Sequence, residues 1–97
     1  MNTFEKITRA RELLDLPEQV TLKEIKANYR VLIKKWHPDK CRSDHEQCAE
    51  MTAKLAEAYK LLTRYTNNYR FSFSEEEVMK YLPKDEWWLA HFGQDPV

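Results

Sequence analysis

Apolar residues recur at three- and four-residue intervals along most of the chain, which is the spacing of one face of an α-helix. Asn2-Thr3-Phe4-Glu5 can open a first, short helix, with Phe4, Ile7, Ala10, Leu13 and Leu14 on one side until Pro17 stops it. Thr21-Leu22-Lys23-Glu24 has the spacing of a capping box, and Leu22, Ile25, Tyr29, Leu32, Ile33 and Trp36 then fall within an arc of about 100°. That predicts a second helix over about 21–36. Ser43-Asp44-His45-Glu46 repeats the capping spacing with Ser43 as the cap. It leads into a stripe of Cys48, Met51, Leu55, Ala58, Tyr59, Leu62, Tyr65 and Tyr69, a third helix over about 44–66. Ser74-Glu75-Glu76-Glu77 opens a fourth, short helix through Val78, Met79, Tyr81 and Leu82 before Pro83. Lys84 to Phe92, with Trp87, Trp88 and Leu89 ahead of Gly93, predicts a fifth helical segment.

The connection between the two long helices is too short to let them separate, so they are expected to form an antiparallel hairpin with the first helix lying across its seam. The chain then divides into a domain over 1–68 and an aromatic C-terminal helical extension over 69–97, packed on or next to it. Composition agrees with this all-α reading. A single Gly among 97 residues leaves little material for β-hairpin turns. A hydrophobic share of 42% beside 33% charged residues belongs to a folded globule of one domain. With 16 basic and 16 acidic side chains the net charge is zero, so electrostatic recognition has to come from segregated charge, and bulk nucleic-acid binding is disfavoured. No charged leader followed by an apolar run opens the chain, and no stretch approaches the roughly 20 apolar residues of a membrane span. A cytoplasmic monomer with reduced Cys41 and Cys48 is the expectation.

Charge is indeed segregated on the second helix. Lys23, Lys26, Arg30 and Lys34 lie within roughly 80° of one another on an arc beside the apolar face. Taken alone, such a stripe reads as a solvated face. It runs, however, into His37-Pro38-Asp39-Lys40. Pro38 fixes its own φ and drives His37 out of helical geometry, so the helix ends there and His37 and Asp39 project from a turn at the tip of the hairpin.

A basic second helix, a His-Pro-Asp turn and a third amphipathic helix, in that order, resemble the J-domain family, co-chaperones of DnaK-type heat-shock ATPases. The resemblance runs from about Ile7 to Tyr65. Glu24-Ile25-Lys26-Ala27-Asn28-Tyr29-Arg30 through Lys34-Lys35-Trp36 looks like the family's second helix, and Glu57-Ala58-Tyr59 like its third. It implies an adaptor with no catalytic group and no cofactor of its own, which stimulates ATP hydrolysis by its partner through Lys23, Lys26, Tyr29, Arg30, Lys34, Lys35, His37, Pro38, Asp39 and Lys40. The chain also departs from the family pattern. Val31 stands at an often basic position, Thr52 where a large apolar side chain is usual, and Cys41 in place of a common Asn. The signature that usually opens the family's fourth helix is missing, as are the Gly/Phe-rich region and zinc-binding repeats of its longer members.

Other chemistries compete for the same residues. His37, Cys41, His45 and Cys48 supply imidazole and thiolate suited to tetrahedral zinc, although the spacing differs from common zinc modules. A His/Asp/Cys nucleophile would need a base within hydrogen-bond reach and a pocket, which an exposed turn does not offer. Finally, Tyr69, Phe71, Phe73, Tyr81, Trp87, Trp88 and Phe92 concentrate aromatic area in the last third. Packing onto the core is the favoured use of it. The alternative is a J-shaped scaffold whose aromatics bind a client or dedicated protein without ATPase stimulation.

Overall fold

The computed structural model describes residues 1–42 and 44–81, which form four helices in the order α1 (Thr3–Leu13), α2 (Leu22–Trp36), α3 (His45–Asn67) and α4 (Glu75–Lys80). No strand occurs among the described residues. Each helix starts where a polar side chain can satisfy its first N–H groups. The Asn2 side chain accepts from the Glu5 N–H at 2.8 Å. At α2 both halves of the capping box form: Thr21 Oγ1 accepts from the Glu24 N–H at 3.2 Å, and Glu24 Oε1 accepts from the Thr21 N–H at 3.2 Å. The cap of α3 is Asp44, one residue beyond the expected Ser43, and its carboxylate accepts from the Glu46 N–H at 3.0 Å. Ser43 and the expected fifth helix over 84–92 lie outside the described residues.

The end of α1 explains how α1 and α2 are joined. Asp15 takes a left-handed conformation (φ 56°) and its N–H donates to the Glu12 carbonyl, while the Leu16 N–H donates to the Arg11 carbonyl. These are the two bonds of a Schellman motif. The reversal carries Leu14 and Leu16 inward, to 0% and 5% exposure. Arg11 Nη1 donates to the Leu16 carbonyl at 2.7 Å, and Asn28 Nδ2 of α2 donates to the Leu14 and Asp15 carbonyls at 3.2 and 3.0 Å. A polar residue of α2 thus fixes the loop over the helix.

Helix α3 is the central element. Both α1 and α2 pack closely against it, while the backbones of α1 and α2 stay further apart from each other. The chain just past α1 fills in between them. Ala10, Leu14 and Leu16 meet Ile25 of α2 and Leu55, Ala58 and Leu62 of α3 in one buried cluster. Full burial of each Leu or Ile contributes about 1.5–3 kcal/mol relative to exposure. Tyr29 stacks on Tyr59 with ring centroids 4.1 Å apart, and Thr52 meets the end of α2, so the pairing runs antiparallel. Towards the tip no described residue covers α2 from a third side. Ile25 is therefore its only fully buried residue, Leu32, Ile33 and Trp36 are half-buried, and Leu22 at the other end is 40% exposed.

The α3 stripe also leaves the core before its end. Tyr65 and Tyr69 are exposed and, with Phe71, form a run of edge and tilted ring contacts at 6.0 and 5.7 Å between centroids. Helix α4 begins at Ser74, whose Oγ accepts from the Glu77 N–H at 3.3 Å, and buries no residue.

Candidate functional site

The tip of the hairpin is built by the end of α2. Ahead of Pro38, His37 adopts φ −60° and ψ 133°, the extended geometry that a following proline enforces, while its N–H still closes the helix on the Ile33 carbonyl at 2.8 Å. The His37 carbonyl then accepts from both the Lys40 and Cys41 N–H groups at 2.9 Å, so one oxygen holds the turn closed. Across the turn the Asp39 N–H donates to His37 Nδ1 at 3.2 Å. With Nδ1 accepting, the neutral imidazole carries its proton on Nε2. Asp39 Oδ2 lies 3.7 Å from the same Nδ1, an ion pair only when the ring is protonated. Despite these bonds the groups remain accessible: the Asp39 side chain is 84% exposed and that of His37 is 47% exposed.

Behind the turn, Lys23, Lys26, Arg30, Lys34, Lys35 and Lys40 are all exposed. Among the described residues none of them has a carboxylate within ion-pair distance, and the one acid of the first turn, Glu24, is occupied by its capping box. The stripe is thus an uncompensated cationic face ending at the acidic side chain of Asp39. Lys34 and Lys35 also stand in the last turn of α2, where positive charge opposes the helix dipole, and Lys35 Nζ lies 5.7 Å from the Trp36 ring centroid, within cation–π reach. Tyr29 is placed differently from the other candidates. It is half-buried in the stack on Tyr59 and joins α2 to α3. Pro38 is half-buried beneath the turn.

Two features tie the tip to α3, and neither was expected. Thr52 Oγ1 donates at 2.9 Å to the Trp36 carbonyl, an acceptor that the end of α2 would otherwise leave without a partner in the fold. An apolar side chain at position 52 cannot make that bond. Cys41 and Cys48 form a disulfide, with Cα atoms 6.5 Å apart, which corrects the expectation of reduced thiols. Two cysteines seven positions apart in a polar segment read first as reduced thiols and only second as a disulfide. Because the bond takes up both sulfurs, the zinc reading of His37, Cys41, His45 and Cys48 loses two of its four ligands, and among the described residues no cluster of three or more His, Cys, Asp or Glu side chains could hold a metal.

A basic helix, an exposed His-Pro-Asp tip and an antiparallel third helix are the layout of a DnaJ domain, and the DnaJ-domain family model matches residues 10–71. The chain belongs to the DnaJ-domain family. Relatives of this DnaJ-domain chain include a human protein named DnaJ homolog subfamily B member 3, 42% identical over 52 residues, which are 54% of this chain and 36% of the relative. The chaperone protein DnaJ of Thermotoga petrophila is 35% identical over 52 residues, covering 54% of this chain and 14% of the relative. A DnaJ-like protein of Mycoplasma pneumoniae is 36% identical over 89 residues, 87% of this chain and 28% of the relative. The chain therefore spans well under half the length of each of these relatives. No solved structure matches it with significance. Among the described residues no helix is long and apolar enough to cross a membrane.

Proposed function

We propose that this DnaJ-domain protein is a cytoplasmic co-chaperone that docks on a DnaK-type heat-shock ATPase and stimulates its ATP hydrolysis, without catalytic chemistry or a cofactor of its own. The observation that carries the reading is the tip: a turn closed on the His37 carbonyl that leaves the Asp39 carboxylate 84% exposed at the end of an unpaired cationic helix face. Lys23, Lys26, Arg30 and Lys34 attract an acidic surface on the ATPase and raise the encounter rate. Lys35 and Lys40 extend the same field to the tip. Asp39 supplies a carboxylate for charge-assisted, bidentate pairing with an arginine of the partner. His37 holds the Asp39 N–H and so fixes where that carboxylate points, with Pro38 keeping the turn from relaxing into helix. Tyr29 contributes by keeping α2 seated on α3.

The test is single-turnover ATP hydrolysis by a DnaK-type chaperone with the wild-type chain or Asp39→Asn added. Loss of one buried, charge-assisted contact is expected to cut stimulation by about 10- to 100-fold in the variant, whose exposed side chain takes no part in the core. A folded wild-type chain that gives no stimulation would refute the reading.

A second reading has its own observation. Tyr69, Phe71, Phe73 and Tyr81 are 55%, 72%, 90% and 78% exposed, a concentration of aromatic surface suited to binding a client or dedicated protein. It becomes the primary function if that test gives no stimulation.

A further inference from the structure

The disulfide sits where it can act on the tip. Cys41 follows the His37–Lys40 turn directly, and its own N–H supplies one of the two bonds to the His37 carbonyl. Its sulfur is bonded to Cys48 in the first turn of α3, a residue with 0% exposure. Cys48 is buried but lies outside the core cluster that unites α1, α2 and α3. The bond thus spans only the connection between α2 and α3, with a sequence separation of 7, and ties one end of the His-Pro-Asp turn to a buried residue of α3. Thr52 fixes the other end through the Trp36 carbonyl. Disulfides in reducing compartments are typically transient and redox-sensing. The two cysteines also differ in exposure, Cys41 being half-buried and Cys48 fully buried.

We propose that the Cys41–Cys48 bond is a reversible redox clasp on the partner-binding turn. Closed, it holds the turn in its docking geometry; opened by a dithiol protein of the thioredoxin type, it frees the Lys40–Cys41 end of the turn from α3 and weakens docking. The clasp deepens the co-chaperone reading and rests on it. In the opening step a thiolate of the dithiol attacks Sγ of Cys41, the less buried of the two residues, and a mixed disulfide forms while Cys48 leaves as thiolate and takes up a proton. The second thiol of the reductant then attacks the mixed disulfide and releases Cys41. Two electrons pass to the clasp, and the reductant becomes the disulfide. Closure is the same exchange run backwards, with a disulfide of that class or a low-molecular-weight disulfide as the oxidant. Tethering the turn lowers the conformational entropy lost on docking, so the oxidised form is the tighter binder.

The experiment uses the full chain, equilibrated in dithiothreitol buffers of different oxidised-to-reduced ratio and freed of them before a DnaK-type chaperone is added. Single-turnover hydrolysis is read against chain concentration. The oxidised chain is expected to reach half-maximal stimulation at about three- to tenfold lower concentration than the reduced chain, as preorganisation of one loop would give. Cys41→Ser is expected to match the reduced chain whichever buffer it came from. Equal stimulation by oxidised and reduced wild-type chain overturns the clasp and leaves the co-chaperone reading standing. A bond that the dithiol cannot open in the folded chain does the same. Stimulation by neither form overturns the co-chaperone reading and the clasp together. If Cys41→Ser does not fold, the comparison of the two wild-type forms still decides.

Discussion

Thr52 shows how a single residue that looks out of place can be explained by what it touches. Its hydroxyl donates to the Trp36 carbonyl, one of the acceptors that the last turn of any helix leaves unsatisfied. Valine keeps the shape of the side chain and removes only the donor. Thr52→Val is therefore expected to cost about 1 kcal/mol and to lower the melting temperature by roughly 4–8 °C, measured by calorimetry or thermal circular dichroism. An unchanged melting temperature would mean that water satisfies the Trp36 carbonyl equally well. Other residues were hidden from sequence reasoning for a similar reason. Asn28 sits on α2 among charged residues and reads as surface, yet it holds the Leu14 and Asp15 carbonyls of a loop 13 and 14 positions away in sequence. No local periodicity reports such a bond. Asp15 escaped because a left-handed residue is expected to be Gly, and the Schellman reversal here uses an Asp.

At the scale of the element, the three main helices and their order were legible because capping signals and apolar spacing are local. The Thr21–Glu24 box formed as read, and the third helix needed its cap moved by only one residue, from Ser43 to Asp44. Depth of burial was less legible, since it depends on what lies opposite. The α2 face reads as one buried arc but, among the described residues, is covered by α3 alone towards the tip, where Leu32, Ile33 and Trp36 are half-buried. The cationic arc of the same helix was fully readable, being a matter of angle only. Its proposed role in encounter gives a prediction at this scale. Lys26→Glu combined with Arg30→Glu changes two exposed side chains, so helix content and melting temperature should hold to within the ±0.5 kcal/mol usual for surface changes. The association rate with a DnaK-type chaperone, read by stopped flow, should fall about tenfold or more at low salt. The gap should narrow as salt is raised towards 1 M, where the Debye length is about 3 Å. A salt-independent defect would point to a contact role for these side chains in the bound complex instead of a steering one.

For the whole molecule, the question is what the C-terminal third adds to the domain before it. Among the described residues, every member of the core cluster, from Ala10 to Leu62, precedes the end of α3, and the partly buried residues packed against it run from Ile7 to Leu61. Helix α4 has no buried residue and its backbone makes no close approach to α1, α2 or α3, and Phe71 and Phe73 stand 72% and 90% exposed. A chain ended after Ser74 keeps every described member of that cluster. It is expected to melt within about 4 °C of the full chain, the shift allowed by a surface-sized change in a domain of this length, and to stimulate a DnaK-type ATPase as the full chain does. A larger fall in melting temperature would mean that residues 75–97 cover part of the domain, which is the packed arrangement the aromatic composition favours. Preserved melting with preserved stimulation would divide the labour cleanly, with the tip and cationic helix serving the ATPase and the aromatic segment free to engage a second protein. Binding of that second protein, measured on both chains, should then weaken with the truncation, which removes Tyr81 and leaves Tyr69, Phe71 and Phe73, while the ATPase response remains.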